Sequence, residues 1–166
     1  MATTDNLQEA FAGESQANRK YLAFAKKADA DGHPQIARLF RAAAEAETVH
    51  AHAHLNVLGG VKSSAENVQA AIEGEGFEFE KMYPEFVAQA EAEGNAGAVE
   101  SFSHALAVEE IHHGLYSLAL ASLEQGKDLP DRRLFVCPVC GNTVYDQPPG
   151  SCPICHTPGK QFLEVA

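Results

Sequence analysis

Apolar residues recur every three or four positions through most of the chain, the spacing that lines one face of a helix. Four such stripes can be traced. The first runs Leu7, Phe11, Glu14, Asn18, Tyr21, Ala25 and Ala28, and the second Ile36, Phe40, Ala43, Glu47, His50, His54 and Val57. The third runs Val68, Ala71, Glu75, Glu78, Met82 and Phe86, and the fourth Phe102, Ala105, Glu109, His112, Tyr116, Ala119 and Leu123. Breaks at DGHP (31–34), GGVKSS (59–64), EGNAG (93–97) and EQGKDLP (124–130) separate them. Helices of about 25 to 30 residues are predicted, the long kind used in bundles. The composition before Pro130 agrees, being rich in Ala and Glu and poor in β-branched residues. Beyond Asp131 the pattern changes to short apolar runs among Gly, Pro and Cys, which predicts a small metal-held β module. The expected fold class is an all-α four-helix bundle, residues 1–130, followed by a small β knuckle domain, residues 131–166.

Each stripe carries ionisable residues near its middle, where a core is expected, while Glu110 and His113 fall off the stripe. The interruptions repeat. GES at 13–15 is matched by GEG at 74–76, an offset of 61, and ETVH at 47–50 by EEIH at 109–112, an offset of 62. Each half is therefore a helical hairpin with a lone Glu on its first helix and Glu-x-x-His on its second. Burying five carboxylates (Glu14, Glu47, Glu75, Glu78 and Glu109) at one level costs several kcal/mol each unless they are paired or bound to metal. No Lys or Arg lies on the stripes to balance them. Two metal ions with four net positive charges would bring the cluster near neutrality. Oxygen and imidazole donors suit iron or manganese. One Glu from each of two helices, with Glu-x-x-His from each of the other two, is the di-metal carboxylate pattern.

The cysteines add a second metal site. All four lie in CPVCG and CPIC, as Cys137, Cys140, Cys152 and Cys155. Paired Cys-x-x-Cys knuckles without a secretion signal point to metal rather than disulfide. Four thiolates at this spacing hold iron or zinc tetrahedrally. Beside a redox-capable di-metal site iron is the expected metal, with zinc the alternative. Gly141 follows the first knuckle and His156 takes the matching place after the second, where a Cβ is uncomfortable if φ is positive.

Charge and length then exclude some partners. A net charge of −11 over 166 residues argues against nucleic acid, which needs clustered Lys and Arg. No run approaches the roughly 20 apolar residues of a membrane span, and MATTDNLQEAF has no basic segment followed by an apolar one. The expected location is cytoplasmic. His52, His104 and His113 read as surface residues, His54 as a hydrogen-bonded core histidine, and Arg132 and Arg133 as linker.

With both metal motifs in view, the sequence resembles the rubrerythrins over essentially its whole length. The residues that carry the resemblance are AFAGESQANRKY (10–21), ETVH (47–50), IEGEGFEFEKMYPEF (72–86), EEIH (109–112) and the two knuckles. It implies a ferritin-like di-iron bundle and a rubredoxin-like domain. It further implies two non-haem irons on Glu14, Glu47, His50, Glu75, Glu78, Glu109 and His112, with Glu47 and Glu109 bridging. By the same resemblance Glu78, which the repeat leaves without a counterpart because position 17 is Ala, exchanges with His50 as the oxidation state changes. Tyr21 and Tyr83 match tyrosines beside the family's site, and serve equally as amphipathic core aromatics. The implied activity is reduction of hydrogen peroxide to water, with the four-cysteine iron relaying electrons. Those electrons would come from a separate reductase using NAD(P)H, since no Gly-x-Gly-x-x-Gly is present. A ferroxidase or iron-handling protein is the alternative, and a pure electron carrier a third reading that the stripe ligands oppose.

The loop after the second helix bears on assembly. A 25-residue helix is about 37 Å long. The connector GGVKSS reaches at most about 20 Å and cannot cross that length. Either the bundle is up-down-up-down, or helices 3 and 4 pack with helices 1 and 2 of another chain. The resemblance favours the second, a homodimer domain-swapped between helices 2 and 3, since some short-linker members of the family swap.

Overall fold

A computed structural model describes residues 2–165. Four helical segments lie between the sequence breaks. They are α1 (Thr3–Ala30), α2 (Pro34–Val57), a third run from 64 to 92, and α5 (Ala96–Glu124). The third run is not uniform. It consists of α3 (Ser64–Phe77), a π-helical turn (Glu78–Met82) and α4 (Tyr83–Ala92). A three-stranded antiparallel sheet follows, β1 (Leu134–Val136), β2 (Thr143–Tyr145) and β3 (Leu163–Val165), in the order β2-β1-β3. The expected class, four helices and a small cysteine-bearing β module, is the one observed. The chain forms two compact units that divide at Lys62 and Ser63, and each is described by itself.

The first unit is the α1–α2 hairpin. Pro34 opens α2 at its first turn, where its missing N–H is not needed. Gly59 closes α2 with φ +67°, the left-handed conformation that glycine adopts without a Cβ clash. The seam is lined by small residues, with Ala25, Ala28, Ala37, Ala44 and Ala51 all buried. One polar side chain crosses it. Buried Asn18 donates from Nδ2 to the Ala44 carbonyl (2.7 Å) and the Thr48 hydroxyl (2.8 Å).

The second unit begins with a capping box. Glu66 N–H donates to Ser63 Oγ (3.4 Å), and Ser63 N–H donates back to the Glu66 carboxylate (3.2 Å). Asn95 caps α5 by accepting from Ala98 N–H (3.1 Å). The sheet that follows has its own small core of Phe135, Cys137, Cys152 and Phe162. Arg132 and Arg133, read from the sequence as linker, pin this module instead. Arg132 donates twice to Asp146 and lies over the Tyr145 ring, while Arg133 donates to Glu164 and lies over Phe135. Strand pairing brings Arg132 to Asp146, just past β2, and Arg133 to Glu164 on β3, partners that their sequence positions alone do not reveal.

Not all stripe residues are covered. Ile36, Val57, Phe86 and Tyr116 are 50, 71, 43 and 39% exposed. A hairpin gives each helix one neighbour, so only one edge of a wide apolar stripe is buried. His52 is exposed as expected, but His104 and His113 are half-buried. His113 packs edge-on against Phe79 with centroids 5.2 Å apart, so a surface role is corrected for it. His54 is half-buried, and no ring hydrogen bond is found for it among the described residues.

Candidate metal centres

Each hairpin gathers one lone glutamate and one Glu-x-x-His pair. Within α1 and α2, Glu14, Glu47 and His50 offer ligand atoms within 4.8 Å of one another, and within α3 and α5, Glu75, Glu109 and His112 do the same. The two halves share a geometry. His50 Nδ1 lies 3.7 Å from Glu14 Oε1 and 3.2 Å from Glu47 Oε2. His112 Nδ1 lies 3.9 Å from Glu75 Oε1 and 2.9 Å from Glu109 Oε2. The i,i+3 spacing places the His directly over its Glu, and the lone Glu arrives from the facing helix. Two donors held at about 2.1 Å and at right angles on one ion would stand about 3 Å apart, so these separations suit a shared cation.

The aromatic surroundings repeat as well, which the sequence reading did not identify. Tyr21, Phe24 and Phe40 form a triad with centroid distances of 6.3, 6.0 and 5.5 Å. Tyr83, Phe86 and Phe102 form its counterpart at 6.2, 6.2 and 5.5 Å. All three pairs are offset by 62, the offset of the Glu-x-x-His motifs, so the signal was present in the sequence.

The lone glutamates, Glu14 and Glu75, are offset by 61. The second hairpin therefore holds one extra residue between Glu75 and Tyr83. The π-helical turn Glu78–Met82 lies within that interval. A π turn absorbs a single insertion within an α-helix without breaking it. The third helix thus returns to register by Tyr83, and the first residue of the turn is Glu78.

The electrostatics show what the carboxylates ask for. The contact between the Glu14 and Glu47 carboxyls raises the pKa of the first and lowers that of the second. Burial raises Glu75, and the charge of Glu109 adds to it. Burial also raises Glu78, with Glu75 contributing. Glu78 stands outside the three-residue cluster but close enough to feel both Glu75 and His112. Tyr83 is raised by burial and then by Glu78, Glu109 and Glu75, which keeps the phenol protonated beside the acids. Tyr21 belongs to its aromatic triad. His112 alone has a further partner, since its Nε2 lies 3.0 Å from Thr143 Oγ1 on β2.

The four cysteines converge. Cys137 and Cys155 sulfurs are 3.5 Å apart and Cys140 and Cys152 sulfurs 3.6 Å, too far for disulfides and close to the edge of a tetrahedron with metal–sulfur bonds of about 2.3 Å. Two matching loops hold them. Gly141 N–H donates to Cys137 C=O and His156 N–H to Cys152 C=O, both at 3.0 Å. Gly141 has φ +87° and His156 φ +61°, so the histidine does carry its Cβ into the left-handed region. Side chains also reach sulfur. Asn142 Nδ2 donates to Cys152 (3.7 Å), and the Thr157 hydroxyl lies 3.1 Å from Cys155. Against burial, which opposes it, backbone N–H groups of Cys140 and Val139 hold the Cys137 thiol low, and Thr157 does the same for Cys155. Burial pushes Cys140 up. Four sulfurs converging at these separations favour a cation, which would displace the thiol protons on binding.

Comparison with known proteins agrees with this geometry. The family model described as Rubrerythrin matches residues 5–120, and that of the Rubrerythrin, rubredoxin-like domain matches residues 135–163. The chain is 36% identical to Rubrerythrin-2 of Clostridium acetobutylicum over 174 residues, covering 96% of this chain and 95% of that protein. It is 35% identical to Nigerythrin of Nitratidesulfovibrio vulgaris, covering 97% and 85%. A solved structure of fully reduced, all-ferrous nigerythrin superposes with a TM-score of 0.59 at 33% identity, covering 99% of this chain and 87% of that one. Among the described residues no helix is long and apolar enough to cross a membrane. A di-iron carboxylate site and a four-cysteine rubredoxin-like site on one chain, together with these matches, establish that this chain belongs to the rubrerythrin family of non-haem iron proteins.

Proposed function

We propose that the chain is a di-iron peroxidase that reduces hydrogen peroxide to water. The supporting observation is the pairing of two carboxylate–histidine half-sites in repeat register with a four-cysteine site on the same chain. A bound ferrous pair supplies one electron from each ion, matching the two electrons and two protons that convert one peroxide to two waters. Glu14, Glu47, His50, Glu75, Glu78, Glu109 and His112 would hold the pair, Glu47 and Glu109 each standing one helical turn before the histidine of its own helix. Tyr83, whose phenol burial and the neighbouring acids keep protonated, stands beside this cluster and is a proton donor near the site. Cys137, Cys140, Cys152 and Cys155 hold the mononuclear iron, where thiolate ligation and donors to sulfur set the potential.

In this reading residues 1–130 form the di-iron domain and 131–166 the electron-relay domain, a division supported by the separate extents of the two family matches. The half-sites must meet to hold two ions, and each hairpin leaves part of its stripe open. With a connector too short for a crossover, the proposed assembly is a cytoplasmic homodimer in which each site takes one hairpin from each chain. Electrons come from an NAD(P)H-dependent reductase.

Anaerobic stopped-flow mixing of the fully reduced protein tests the activity. Peroxide is expected to oxidise the di-iron site much faster than dioxygen at equal concentration. Equal rates, or a faster reaction with dioxygen, would replace the peroxidase with an iron-oxidising protein.

A further inference from the structure

His112 and Thr143 bring two parts of the second unit together, and the two hydrogen-bonding atoms have unequal freedom. Thr143 Oγ1 lies 3.0 Å from His112 Nε2 and 3.1 Å from the carbonyl oxygen of Gly141. A hydroxyl has one hydrogen to give and two lone pairs to offer. The carbonyl can only accept, so the hydroxyl hydrogen goes to Gly141. The lone pairs are then what His112 meets, and they require the imidazole to carry its hydrogen on Nε2. In the neutral ring this leaves the Nδ1 lone pair facing Glu109 Oε2 at 2.9 Å and Glu75 Oε1 at 3.9 Å. Three acceptors pointed at one another repel unless a proton or a metal ion lies among them.

Gly141 follows Cys140 in the first cysteine loop, and its own N–H is bonded to the Cys137 carbonyl. A Cβ at Gly141 would lie 3.5 Å from Val108 of α5, one turn before His112. The cysteine loop is therefore seated on the helix that carries the histidine. His50 has no equivalent. It is 54% exposed against 27% for His112, and among the described residues its ring bonds only to carboxylates.

We propose that Thr143 is the positioning residue of the second half-site, fixing His112 with Nδ1 free for metal and tying the ring to the cysteine loop through Gly141. The proposal rests on the reading of His112 as a metal ligand. Partners that orient a ligating histidine in this way change metal affinity by about 10- to 100-fold when removed.

The test uses the full chain loaded with zinc alone, comparing wild type, Thr143→Val and Thr143→Ser. Valine keeps the branched shape that suits a strand, and serine keeps the hydroxyl. Zinc retained by the thiolates of each variant reports that the cysteine module is folded. In the wild type, the His112 Nε2–H is expected as a slowly exchanging ring proton in ¹H–¹⁵N spectra. In Thr143→Val that proton should exchange fast, and zinc affinity at the carboxylate site should fall by about 10- to 100-fold. Thr143→Ser should restore both. A chain that takes up three zinc ions and shows Thr143→Val indistinguishable from wild type overturns the proposal alone. A wild type that takes up one zinc, at the thiolates, refutes metal binding by the carboxylates and the proposal with it.

Discussion

Glu75 and Glu78 hold their protons more tightly in the folded chain than when exposed, chiefly because burial disfavours their charge. A carboxyl raised by folding favours the folded state as pH drops toward its raised value, and opposes it once ionised. Metal-free protein is therefore expected to gain thermal stability in its second hairpin as pH falls from neutral toward the ordinary carboxyl range. Loading with Fe(II) should reverse the trend, because the metal needs the carboxylates ionised and releases protons on binding. Calorimetric titration in two buffers of different ionisation enthalpy measures that release directly. A metal-free chain whose melting temperature falls steadily with pH over this range would contradict the assignment. His156 shows another local cost. A non-glycine residue in the left-handed region loses about 1–2 kcal/mol, so the second cysteine loop is the more strained of the two.

The hairpins explain how these residues are held. A seam of alanines brings α1 and α2 close, and Asn18 crosses it with two hydrogen bonds to α2. Asn18→Ala removes both, leaving the buried Ala44 carbonyl without its cross-seam donor, and should destabilise the chain by about 1–3 kcal/mol in denaturant melts. A loss under 0.5 kcal/mol, roughly the range of surface substitutions, would show the bridge to be incidental. Much of this level was legible in the sequence. The three-to-four spacing and the Gly and Pro breaks located the helices, and the repeat offsets found both half-sites. The π turn was also encoded, in the difference between offsets of 61 and 62, but periodicity alone reads one inserted residue as noise. Thr143 was not legible, because its importance comes from a strand folding back onto α5, a contact between residues 31 apart. The same holds for Arg132 and Arg133, whose acids lie 14 and 31 residues further along the chain.

At the scale of the whole molecule, the proposed swap makes a prediction that stability measurements do not reach. One chain carries Glu47→Ala in the first hairpin and a second carries Glu109→Ala in the second. Co-expressed in a swapped dimer, they form one site with both defects and one site with none. Mixed dimers should then recover about half of the wild-type peroxide turnover, although each homodimer is inactive. Unswapped dimers leave a defect in every site and recover nothing. The deeper claim is that the acids on four helices are tolerated because a pair of iron ions holds them. Mössbauer spectroscopy of ⁵⁷Fe-loaded protein tests it most directly. The expected spectrum has two parts in a 2:1 ratio, an oxygen- and nitrogen-ligated coupled pair and a tetrathiolate iron. A fully loaded sample with only the tetrathiolate component would contradict it.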